Sequence, residues 1–201
     1  DLIGEAHREH TEVSKMFRYI TNGKLQWAEM DEVYDKMFFG DKEYDYVKGP
    51  DEFKAKMKSY FPDEAKAIDA YVDLIYKTQK SQRFFFAEKM LPNFLSKLFG
   101  NFLRGKALKG NKTTLEVLSE LTSNKKLIAV LTGQFGDYGL PPSQSSFMMH
   151  AVLAKHYMKG ACYPVGGSQQ IFQATAPTIL NAGGEIFTNA DVKEIIVADN
   201  K

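Results

Sequence analysis

Gly133-Gln-Phe-Gly-Asp-Tyr-Gly-Leu-Pro-Pro142 leads into Ser143-Gln-Ser-Ser-Phe-Met-Met-His-Ala-Val-Leu-Ala-Lys-His-Tyr157, and Tyr163-Pro-Val-Gly-Gly-Ser168 follows. Three glycines and two prolines punctuate the first part as a loop. The second is apolar around most of a helical circumference, the pattern of a helix buried on several sides. The third is a glycine turn, and a helix from Gln169 to Asn181 follows it, stopped by Gly183-Gly184. Beyond lie two short expected strands, Glu185–Thr188 and Val192–Val197.

Working towards the N-terminus, Ser123 stands where it would cap a helix carrying Leu127, Ile128 and Leu131. Thr113-Thr-Leu-Glu116 is a capping box that opens a helix through Leu118 and Leu121. Leu91, Phe94, Leu95, Leu98, Phe99 and Phe102 recur at helical spacing, as do Ile68, Tyr71, Val72 and Ile75. Phe53 and Met57 mark a shorter helix after Gly49-Pro50. Val33–Phe39 and Lys42–Val47 read as strands flanking Gly40-Asp41, a hairpin. Val13, Met16, Phe17 and Ile20 give one more helix, ended by Asn22-Gly23. The pattern predicts an α+β fold, mainly helical, with a small β-hairpin.

Composition narrows the function classes. Apolar residues make up 44% and aromatics 13%, too hydrophobic for a disordered chain. No run approaches the roughly 18 consecutive apolar residues of a spanning helix. One cysteine, Cys162, excludes an internal disulfide framework and reads as a small buried hydrophobe. The four histidines lack metal-ligand spacing, so no metal is expected. Charge is uneven beneath a net +1: Arg83–Lys109 holds six bases, one acid and six phenylalanines. Such a stretch offers a surface to a lipid membrane, and nucleic acid is not an expected partner. Asp1-Leu-Ile-Gly-Glu-Ala-His-Arg8 has no apolar secretory core, so the expected location is cytoplasmic or peripheral to a membrane, not secreted.

Two nucleotide motifs fail on inspection. Gly100-Asn-Phe-Leu-Arg-Gly-Lys106 has P-loop spacing, but Ala107 follows where a hydroxyl is needed for Mg²⁺. No Gly-x-Gly-x-x-Gly occurs, so no dinucleotide pyrophosphate cradle is assigned.

Phe135-Gly-Asp-Tyr-Gly-Leu-Pro-Pro142, Phe147-Met-Met-His-Ala-Val-Leu153 and His156-Tyr-Met-Lys-Gly160 resemble the retinol saturase family of FAD-dependent oxidoreductases. Tyr163-Pro-Val-Gly-Gly167, with Ala182-Gly-Gly-Glu-Ile186 and Val192, is similar also to the phytoene desaturase and carotenoid isomerase relatives. The resemblance implies FAD in the parent protein and a lipophilic, retinoid- or carotenoid-like substrate whose carbon–carbon double bond is reduced, desaturated or isomerised. By motif it places Tyr163, Pro164, Gly166 and Gly167 at the flavin and Val192 at the adenine. Val165 departs from residues found in relatives.

A polyene site should be lined by apolar and phenolic side chains. Phe135, Tyr138, Phe147, His150 and Tyr157 are the candidates, and no residue is assigned as general acid. The expected organisation is a helical substrate-covering region, 1–160, and part of a flavin-binding domain, 161–201. The ends read as cut, so the chain is expected to be an internal fragment, inactive without the remainder of its parent. Two alternatives are a non-catalytic lipophile-binding module and a peripheral membrane-binding module.

Overall fold

The computed structural model describes residues 3–90, 92, 94–95, 97 and 112–197, excepting the side chains of 82–89. Most of the helix expected from Leu91 through Phe102, the Gly100–Lys106 motif and most of the basic, Phe-rich stretch fall outside them. In chain order the elements begin with β1 (Ile3–Gly4), α1 (Glu12–Ile20), β2 (Trp27–Glu29), β3 (Val33–Phe39) and β4 (Lys42–Val47). Then come α2 (Pro50–Tyr60), α3 (Ala65–Met90), α4 (Thr114–Leu121), α5 (Lys125–Leu131), α6 (Phe147–Tyr157), β5 (Ala161–Pro164) and α7 (Gln169–Asn181). This is the expected α+β fold with its hairpin.

The main core forms where α3 lies along α6 and the hairpin rests on α2. Ile68, Tyr71, Val72 and Ile75 of α3 are fully buried, as are Phe147 and Ala151 of α6. Helical spacing puts each set on one face, and burying a large apolar side chain contributes about 1.5–3 kcal/mol. Strands β3 and β4 join through the two-residue Gly40-Asp41 turn, with Phe39 paired to Lys42. Gly40 takes a positive φ of 63°, which a glycine accepts without steric cost.

Alternation sends Tyr44 and Tyr46 inward, where Tyr44 stacks on Phe61 at 5.7 Å and Tyr46 meets Phe53 edge-on at 5.6 Å. The Tyr46 hydroxyl donates to the Val130 carbonyl, tying the hairpin to α5. On the opposite side β5 lies between β1 and β2, antiparallel to both. Cys162 pairs with Ile3 and Glu29 there, is fully buried, and has its thiol pKa pushed up by burial.

The Thr113–Glu116 capping box forms as expected. Two expectations need correction. Asn124, not Ser123, caps α5, because its side-chain oxygen reaches the amides of Lys126 and Leu127, each at 3.1 Å. Glu185–Thr188 and Val192–Val197 are not strands. A strand exists by pairing, and no described residue pairs its backbone with either run, so their β-branched composition alone does not order them. Val192, Ile195 and Ile196 are exposed instead.

Candidate functional site

The glycine turn after β5 is built from the backbone outward. Pairing of Trp27 with Pro164 and Ala28 with Tyr163 fixes the strand end. The Val165 amide then donates to the Gln26 carbonyl at 2.9 Å, and the Gly167 amide turns back to the Pro164 carbonyl at 3.0 Å. Gly166 and Gly167 both have positive φ, 88° and 95°, where any side chain would be strained. Around Gly167 nothing lies within 4 Å of the position a Cβ would take, so the backbone is open to close approach. Ser168 makes no side-chain capping bond to α7.

A recess of about 410 Å³ opens beside the turn, lined among others by His7, Arg18, Gln26, Trp27 and Val165. Gly166 is exposed and Gly167 half-buried, and the recess reaches the turn through Val165. Tyr163 and Pro164 are the strand that carries the turn, whereas Val192 stands in the exposed C-terminal run.

A second constellation surrounds His150. Its imidazole is buried in α6, sharing hydrogen bonds through Nε2 with the Tyr71 hydroxyl at 2.8 Å and through Nδ1 with the Tyr138 hydroxyl at 3.2 Å. Burial disfavours the imidazolium and lowers the pKa to about 4, so His150 is neutral at physiological pH. Tyr157 stacks on Tyr34 with ring centroids 5.9 Å apart, and burial pushes its phenol to about 12. Phe147 packs 5.8 Å from His150 and is fully buried. Phe147, His150 and Tyr157 thus stand in the core that supports the Gly133–Pro142 loop, while Tyr138 is half-buried in that loop.

Of the expected lining residues, Phe135 borders a large cavity, of about 960 Å³. Its other walls come from residues that sequence reading did not single out for a site: Met37, Phe38 and Phe39 of β3, Leu115 and Ser119 of α4, and Lys125, Ile128 and Ala129 of α5. The legible signal was spacing: Leu115, Ser119 and Thr122 fall at i, i+4 and i+7, and Lys125, Ile128, Ala129 and Thr132 at i, i+3, i+4 and i+7.

Comparison with known proteins bears on the origin of both features. No family model matches the chain. It is 35% identical to all-trans-retinol 13,14-reductase of Danio rerio across 99% of this chain and 34% of that protein. The Homo sapiens protein of the same name is 35% identical across 89% of this chain and 31% of its own length. The chain is homologous to the retinol saturase family. A further Danio rerio member, the inactive all-trans-retinol 13,14-reductase, is 27% identical across 99% of the chain. The chain spans about a third of the length of the retinol saturases it matches. No helix among the described residues is long and apolar enough to cross a membrane.

Proposed function

We propose that this chain is the substrate-covering part, with a short piece of the flavin-binding part, of an FAD-dependent oxidoreductase that acts on a carbon–carbon double bond of a retinoid-like lipophile. The observation that carries this reading is the match to proteins named all-trans-retinol 13,14-reductase over 89–99% of the chain. When bound, the flavin supplies the hydride and the protein supplies position and exclusion of water. Gly166 and Gly167 hold it by backbone approach, with Tyr163 and Pro164 fixing the turn. Neutral His150 orients the Tyr138 hydroxyl at the loop rather than moving a proton.

The pyrophosphate cradle has no counterpart in this sequence, so on this reading the chain has no redox activity alone. The basic, aromatic Arg83–Lys109 stretch supports a resting place on an anionic membrane. The wider carotenoid and phytoene desaturase resemblance supports a polyene as the substrate class.

The test is to express the natural reading frame that contains these residues, release bound flavin by heat from one portion, and incubate a second, unheated portion with all-trans-retinol under a reductant. Released flavin and a retinoid product two mass units heavier are expected. A second reading, lipophile binding without catalysis, is favoured by the relative named inactive. Retained retinoid with neither flavin nor a heavier product would replace the first reading with the second.

A further inference from the structure

The cavity between the hairpin tip and helices α4 and α5 has a built-in polarity. Strand β3 runs along it from Met37 to Phe39. Met37 lies against Gly133 at the C-terminal end of α5, where an added Cβ would stand 2.9 Å from the Met37 Cγ. Phe39 packs on Tyr44 at 6.0 Å, and the Lys126 ammonium stands 5.9 Å from the same ring, which places Phe39 toward the N-terminal end of α5. At the first end the lining is Leu115, Phe135 and Pro142 with Met37. At the second it is Ser119, Thr122, Ser123 and Lys125, where α4 turns into α5.

The hydrophobic walls remain open to solvent. Phe38 is 65% exposed, Phe135 43% and Leu115 39%. Three large apolar side chains around one concave surface of about 960 Å³ are what a lipophilic ligand covers. Among the described residues Lys125 is the one cation of the lining, and it makes no ion pair with them. Among the described residues Glu120 is paired with Lys112, while Glu64 accepts the Thr122 hydroxyl at 2.8 Å and keeps its charge without an ion pair.

We propose that this cleft binds an elongated lipophilic monocarboxylate, its chain along Met37, Phe38, Leu115 and Phe135 and its carboxylate at Lys125 with the Ser119 and Ser123 hydroxyls. The lining shares no residue with the Tyr163–Gly167 turn, so occupancy needs no flavin. The proposal rests on the retinoid reading only for the choice of probe. It is read by binding rather than turnover, so it can fail while the oxidoreductase reading stands.

The experiment is equilibrium dialysis of the purified chain against all-trans-retinoic acid and, separately, its methyl ester. Saturable binding of the acid is expected, with the ester weaker by about fivefold for loss of a solvent-exposed ion pair. Lys125→Gln should bring acid and ester to equal affinity. Ala129→Trp fills the half-buried floor of the cleft, and Phe38→Ser removes an exposed wall; each should weaken both probes by about tenfold. Phe38→Ser decides if Ala129→Trp does not fold, since Phe38 supports no core packing. Equal affinity of acid and ester for the unaltered chain would overturn the proposal, as would undiminished binding in folded Phe38→Ser.

Discussion

Burial of a neutral His150 makes the stability of this fold fall in mild acid. In the folded chain its pKa is about 4, against an ordinary 6.5, and burial is the cause. A histidine with a depressed folded pKa contributes stability above its unfolded pKa and loses it as pH falls, because only the unfolded chain takes up the proton. With those two values, moving from pH 7 to pH 5 costs about 2 kcal/mol.

His156 acts in the same direction, since burial lowers its pKa and its Nε2 accepts the Gly4 amide at 2.7 Å. Carboxylates held low by partners, such as Asp45 beside Lys56, lose their contribution only at still lower pH. The contribution of His150 is therefore isolated by difference. Urea unfolding of the unaltered chain and of His150→Gln is measured at both pH values. The variant, less stable at pH 7, should lose about 2 kcal/mol less on acidification. Equal losses would refute the argument that the core holds this imidazole neutral.

Two further substitutions test the scaffold. Tyr46→Phe removes the buried hydroxyl that donates to the Val130 carbonyl and should cost about 1–2 kcal/mol in urea unfolding; no change would mean that the bond does not tie the hairpin to α5. Gly4→Ala would put a methyl 2.5 Å from the His156 carbonyl oxygen, so β1 must shift. Amide exchange in β5 should accelerate, and unchanged protection there would show that the clash relaxes elsewhere.

Elements with a strong period were legible before any coordinates. The α3 face of Ile68, Tyr71, Val72 and Ile75, and the hairpin about Gly40-Asp41, follow from spacing and turn chemistry alone. The β1–β5–β2 sheet was not legible, because strands of two to four residues carry no period and are created by partners far along the chain. The mirror case is Val192–Val197, with strand composition and no described partner. At the site, paired glycines announced the turn correctly. The cavity was legible only as shared helix faces, because Ser119 and Lys125 read as ordinary solvent-facing positions until β3 is laid across them.

The short sheet also sets the order of events as the protein folds. Cys162 donates to the Ile3 carbonyl at 2.9 Å across 159 positions of chain, whereas the hairpin closes over two residues. Contacts of such separation form after local ones have shortened the path between them, and a two-residue strand has little to hold it once disturbed. Residues 3–29 are therefore expected to close after the hairpin, which amide exchange measured segment by segment would check. The strand carrying the glycine turn is held on both sides by that segment, so the timescale of its opening also governs when the turn takes its final shape.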